Sequence, residues 1–175
     1  MPWKNGGGHT EEIARAPGDP PPWRISLASI ERDGPFSDFG GYDRTIVPVE
    51  GAGFSLAFEH ETVRLDRLGE PFRFAGEARA DCRLIAGASR DLNVMTRRGS
   101  YDHAVAALEL YAGERRELAG EEEAYVFACA PLGAATAADR CELGAGDTLC
   151  LARNERAVLL AAANALVLRI SLRRC

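Results

Sequence analysis

The strongest constraint on this chain is a period of two in its apolar residues. Gly53-Phe54-Ser55-Leu56-Ala57-Phe58-Glu59 puts Phe54, Leu56 and Phe58 on one face, and Thr62-Val63-Arg64-Leu65-Asp66 repeats the pattern. Arg24 to Ile30 alternates with Ile25 and Leu27 inward, while Ile30 falls out of phase. Ala104 to Tyr111, Ala124 to Ala128, Asp147 to Leu151 and Leu166 to Leu172 follow more loosely. Successive side chains of a strand point to opposite faces, so such alternation predicts half-buried strands. Turn residues separate them at Asp33-Gly34-Pro35, Glu50-Gly51, Leu68-Gly69-Glu70-Pro71, Ala75-Gly76, Ala112-Gly113, Ala119-Gly120 and Gly144-Ala145-Gly146-Asp147. Many lie roughly 8–15 residues apart, the rhythm of sandwiches and barrels. Helix signals are poor, and the Ala- and Leu-rich stretch from Ala157 to Leu168 reads as two strands around a turn at Ala163-Asn164. A faint echo between Phe54–Phe74 and Tyr125–Leu151 favours two barrel-like halves over one open sandwich. The chain is thus expected to be all-β, one compact unit over 1–175 with halves of approximately 1–100 and 101–175.

Composition narrows the function classes. Hydrophobic residues make up 46% of the 175, enough for a sizeable core, and charged residues 27%, too mixed for a disordered chain. A net charge of −5 argues against a nucleic-acid partner, because surfaces that follow phosphates carry basic excess. No apolar run approaches the roughly 20 residues of a membrane helix, and the N-terminus lacks the apolar stretch of a signal peptide. These features predict a soluble, cytoplasmic protein. The five cysteines are odd in number and contain no CxxC, which predicts reduced, mostly buried thiols. His9, His60 and His103 are far apart, and in a strand Glu59 and Glu61 point away from His60, so no metal site is expected.

Three segments carry chemistry. The first is Pro2-Trp3-Lys4-Asn5-Gly6-Gly7-Gly8-His9-Thr10, in which Trp3 offers an apolar wall, Lys4 a charge and Asn5 a donor and an acceptor. It reads equally as a loose terminal tail, since glycines add freedom and termini are commonly unanchored. The second runs from Asp33 through Phe36 and Phe39 to Asp43-Arg44, where Arg44 suits bidentate capture of a carboxylate or forms a structural ion pair. The third is Asp91-Leu92-Asn93-Val94-Met95-Thr96-Arg97-Arg98-Gly99. Asn93, Met95 and Arg97 would share one strand face, pointing into a cavity if that face lines a barrel and into solvent otherwise.

Taken in order, with Trp23-Arg24-Ile25-Ser26 between the first two, these segments resemble the HutD/Ves family. The resemblance is specific over the first hundred residues and general from Asp102 onward. It implies a cupin-like (RmlC-like) double β-barrel, or bicupin, of bacterial type. It further implies a small-molecule-binding protein that moderates histidine utilisation by taking a polar or anionic metabolite. Urocanate or formylglutamate is the implied candidate. The matching positions expected to bind ligand are Trp3, Lys4, Asn5, Thr10, Arg24, Ser26, Arg44, Asn93 and Arg97. No catalytic residue, metal or cofactor is expected, nor a nucleic-acid or membrane partner, and the assembly is expected to be a monomer or homodimer. The sequence departs from the family pattern at Gly40-Gly41, where Pro-Gly is usual, and at Leu92, where an aromatic is common. Family members also carry a short strand ahead of the Pro-Trp-Lys-Asn motif, expected here either to be absent or to lie upstream of Met1. The rival reading is a cupin-like isomerase or hydrolase with Tyr42, His9 or His103 as acid–base groups.

Overall fold

The computed structural model describes residues 3, 6–120 and 122–175. All its regular elements are strands, and the chain divides into two compact units, Met1–Asp102 with Cys175, and His103–Arg174.

The first unit contains β1 (Gly8–Arg15), β2 (Trp23–Ile30), β3 (Gly34–Pro35), β4 (Tyr42–Glu50), β5 (Phe54–Ala57), β6 (Thr62–Leu65), β7 (Phe72–Ala75), β8 (Asp81–Leu84) and β9 (Ser89–Arg97). They form a five-stranded sheet in the order β1-β2-β9-β4-β7 and a four-stranded sheet in the order β3-β8-β5-β6. Where pairing is resolved it is antiparallel. Ile30, Ile46 and Phe74 from the larger sheet meet Phe54, Leu56, Leu65 and Cys82 from the smaller one in a single core. Phe58, Phe72 and Phe74 extend it as an aromatic cluster with ring centroids 5.6–5.8 Å apart.

The second unit is built from β10 (Tyr101–Leu110), which begins just before the division, β11 (Arg115–Ala119), β12 (Glu123–Ala128), β13 (Leu132–Thr136), β14 (Arg140–Leu143), β15 (Thr148–Leu151), β16 (Arg156–Leu160) and β17 (Ala165–Arg174). Its sheets run β10-β17-β12-β15 and β11-β16-β13-β14. Both sheets contribute to its core, with Val126, Leu151 and Val167 from one and Leu118, Leu132 and Leu159 from the other. The Ala157–Leu168 stretch is two strands, β16 and β17, with the chain turning between them around Asn164.

Two expectations are corrected. On β2 the interior of the first unit is faced by Arg24, Ser26, Ala28 and Ile30, because Ile30 belongs to the core and shares their side of the strand. Ile25 and Leu27 point the other way and are also buried, so the strand has no solvent face for the apolar pattern to mark. The thiols also differ from expectation. Cys82 is buried and Cys129 half-buried, but Cys141, Cys150 and Cys175 are exposed. Cys141 and Cys150 lie on short strands whose outward positions are open to solvent.

The described residues of the opening segment, Trp3 and Gly6 to Thr10, are tied down. The Trp3 amide donates to the Gly8 carbonyl at 2.9 Å, Gly6 donates to Trp3 at 3.0 Å, and Glu31 donates to Gly7 at 2.8 Å. Gly8 is required by close approach: a Cβ there would sit 1.9 Å from the Ser29 carbonyl oxygen, across the β1–β2 pair. Trp3 therefore packs against the first unit's core, edge-on to Phe36 with centroids 6.2 Å apart, and its indole N–H donates to Thr10 Oγ1 at 2.7 Å.

Candidate functional site

The register of three neighbouring strands sets the polar residues of the first unit side by side. β9 is flanked by β2 and β4, and Asn93 lies opposite Ser26 on one side and Ile46 on the other. Met95 lies between Arg24 and Arg44, and Asp91 between Ala28 and Pro48. With period two, Arg24, Ser26, Arg44, Asp91, Asn93 and Met95 all face the same way as Ile30 and Ile46, toward the core. An interior that would ordinarily be apolar therefore holds two guanidiniums, a carboxylate, an amide and a hydroxyl. Among the described residues, the fully buried polar and charged side chains belong to the first unit with the exception of His103. The second unit's core cluster is apolar throughout.

Arg44 is the centre of this group. It is only 5% exposed. Its Nε donates to Asn93 Oδ1 at 3.4 Å and its Nη1 to the Ser37 carbonyl at 3.2 Å. Its guanidinium carbon lies 4.9 Å from the Phe39 ring centroid, 5.0 Å from Phe74 and 5.5 Å from Phe36. Ring faces stabilise a cation, which supports the charge where water is excluded. Arg24 approaches the same Phe39 ring at 5.4 Å and donates to the Met95 sulfur at 3.5 Å. Two like charges thus share one aromatic wall, with one buried carboxylate to balance them.

The balance is poor. Burial pushes Arg44 down to about 10, with the positive charge of Arg24 adding to the effect and Asp91 opposing it. Burial pushes Asp91 up to about 7, opposed by Arg44. Both partners are driven toward their neutral forms, so their mutual attraction does not repay their desolvation. The hydrogen bonding is incomplete as well. Arg24 Nε, Ser26 Oγ and Asp91 Oδ1 are buried with no hydrogen-bond partner among the described residues. Leaving a buried polar atom unbonded costs about 1–3 kcal/mol, so three on adjacent strands call for a further partner, a water molecule or a ligand.

The sequence-derived residues divide as follows. Arg24, Ser26, Arg44 and Asn93 come together in this cluster. Trp3 and Thr10 bond to each other, and Trp3 reaches Phe36, one of the rings over Arg44. Arg97, at the end of β9, donates instead to the Pro20 carbonyl, while Tyr42 opposite it donates to the Pro21 carbonyl at 2.6 Å. Both hold the Pro20-Pro21-Pro22 connector. Lys4 and Asn5 lie outside the described residues. Asp43 faces away from Arg44 and bonds Arg73 at 2.8 Å. Asp91 was not among the expected site residues, although it opens the third motif and keeps period with Asn93.

The residues of the acid–base reading fall in both units. Tyr42 is engaged with Pro21, and His9 stands on β1 between Glu11 and Glu31. His103 is a buried residue of the second unit. Among the described residues no group of three or more His, Cys, Asp or Glu side chains is arranged to hold a metal ion. Among the described residues no helix is long and apolar enough to cross a membrane.

Comparison with known proteins assigns the chain. The HutD family model matches residues 1–168. The chain belongs to the HutD family. A 21.2 kDa protein in the hutC 3′ region of Pseudomonas putida is 45% identical over 98 residues, covering 54% of this chain and 52% of that protein. Protein Ves of Citrobacter koseri is 42% identical over 103 residues, covering 55% and 52%. The matched segments thus span about half the length of these curated relatives. Among solved structures, HutD from Pseudomonas fluorescens SBW25 is 32% identical with a TM-score of 0.77, covering 99% of this chain and 93% of that one. A conserved protein from Pseudomonas aeruginosa PAO1 is 30% identical with a TM-score of 0.86, covering 100% and 93%. A cupin 2 barrel protein from Leptotrichia buccalis, 13% identical with a TM-score of 0.66 over 99% and 92%, shares the fold. The HutD chain is therefore all-β and cupin-like.

Proposed function

We propose that this HutD-family protein binds a small carboxylate metabolite in its first unit and so moderates histidine catabolism in the cytoplasm. The observation that carries this reading is the pair of guanidiniums of Arg24 and Arg44 against one Phe39 ring, with Arg24 Nε left unbonded. A planar carboxylate would accept hydrogen bonds from such groups and neutralise the excess positive charge. The aromatic rings would exclude water from a flat ligand. The pathway role draws on the family and on the relative in the hutC 3′ region. Urocanate and N-formylglutamate are the candidates.

Calorimetry with both compounds tests the proposal. Wild-type protein should bind at least one at millimolar concentration or below. Arg44→Lys keeps the charge but loses the planar fork, and should weaken binding by about tenfold or more. Binding to neither compound would remove these metabolites. Equal binding by wild type and Arg44→Lys would remove the site.

A further inference from the structure

The cluster described above holds one group that an anion does not explain. Asp91 is buried at 2% exposure, and its Oδ1 has no hydrogen-bond partner among the described residues. A carboxylate offered to Arg24 and Arg44 would be repelled by a second carboxylate beside them. An unbonded carboxylate oxygen requires a donor. Register separates the two demands: Asp91 stands four residues along β9 from Met95, the residue that lies between Arg24 and Arg44. At roughly 3.3 Å per residue the backbone positions are about 13 Å apart. The arginine side chains shorten that distance from one end.

We propose that Asp91 determines specificity, by accepting a hydrogen bond from an N–H or O–H group that the ligand carries in addition to its carboxylate and apart from it. The site is then bipolar: two guanidiniums read the anion and Asp91 reads the donor. The inference rests on the carboxylate-binding reading above and adds the ligand class. The ligand is a small monoanion or dianion with an amide, imidazole or hydroxyl proton at its other end.

The charged and titratable surroundings of Asp91 are few. Arg44 faces it from β4, Arg24 shares its face from β2, and Cys82 approaches from β8. The neighbours across the ladder, Ala28 and Pro48, bring no charge. Burial raises Asp91 to about 7, and Cys82, buried beside Asp91, rises to about 12 and stays a neutral thiol. The acceptor therefore switches within the range where binding is measured. Above pH 7 ionised Asp91 accepts from a donor ligand. Below it the protonated acid is itself a donor and no longer favours one.

Matched pairs test this without a known ligand. N-acetylglycine and levulinate differ by N–H against CH₂; urocanate and 3-(3-furyl)acrylate differ by a ring N–H against none. Affinities are measured by calorimetry from pH 6 to 8.5. At pH 8.5 the N–H member should bind about tenfold or more tightly, as a hydrogen bond to a charged acceptor warrants. The preference for N-acetylglycine over levulinate should shrink toward pH 6, and its pH dependence should vanish in Asp91→Asn; the urocanate pair is compared at pH 8.5 alone, because its imidazole gains a proton of its own toward pH 6. If that variant does not fold, the wild-type ratio across pH decides alone. Equal affinity for both members at every pH, with binding still weakened by Arg44→Lys, would overturn the role of Asp91 and leave the anion site standing. Binding of neither member of either pair would take the proposal down together with the reading it rests on.

Discussion

Asp91→Asn is expected to change the pH dependence of folding in a way that measures the cost of the buried charge. The carboxyl rises from an ordinary 3.8 to about 7, first because burial disfavours the ion, with Arg44 acting in the opposite direction. Between these two values the folded protein keeps a proton that the unfolded chain has released. Stability therefore falls as pH rises through this window, and it levels off above about 7. A gap of about three pH units amounts to roughly 4 kcal/mol at about 1.4 kcal/mol per unit. Roughly 2–3 kcal/mol of this accrues between pH 5 and 8. Asparagine cannot ionise and lacks the slope. The stability of Asp91→Asn relative to wild type should therefore rise by roughly 2–3 kcal/mol from pH 5 to pH 8, whatever the offset at pH 5. Other groups titrate equally in both proteins and cancel. Urea unfolding followed by tryptophan fluorescence is suited to the measurement, because Trp3 and Trp23 both belong to the unit that holds Asp91. A difference that stays constant within about 0.5 kcal/mol, or one that moves in the opposite direction, would refute the argument that desolvation outweighs the attraction of Arg44.

Gly8→Ala should destabilise the first unit by more than about 1 kcal/mol, since the added methyl would meet the Ser29 carbonyl at 1.9 Å. A lowered unfolding midpoint with red-shifted Trp3 emission is the expected result. Arg97→Ala should raise amide exchange at Gly18 and Asp19, where the Pro20 carbonyl loses its donor, while carboxylate affinity stays within a factor of about two, as an exposed contact away from the cluster warrants. A large loss of affinity would place Arg97 at the ligand.

Much of the candidate site was legible through the family motifs rather than through the strand period. Arg24, Ser26, Arg44 and Asn93 are matching motif positions, and the structure sets them on one face, whereas the apolar pattern of β2 pointed to the opposite face as the interior one. Arg97 also has the right period but stands where β9 ends, and the nearby Pro20 carbonyl captures it. Asp91 escaped notice because an isolated Asp carries no sign of burial; the neighbours that desolvate it come from β2, β4 and β8. The hairpin of β13 and β14 was missed for a local reason. Gly133-Ala134-Ala135 has low strand propensity, and the hairpin is held by pairing of β13 to β14 and β16.

Local order in the amino-acid sequence determined many of the strands, a number of the turns between them and the family motifs, because alternation and turn chemistry act over a few residues. Which face of β2 looks into the first unit was decided by tertiary structure, since both faces are buried and hydrophobicity alone could not choose between Ile25 and Ser26. Tertiary structure also decided that two arginines share one aromatic wall and that Asp91 is left with an unbonded oxygen. Those properties depend on which distant strands become neighbours, and desolvation exists only once they have packed.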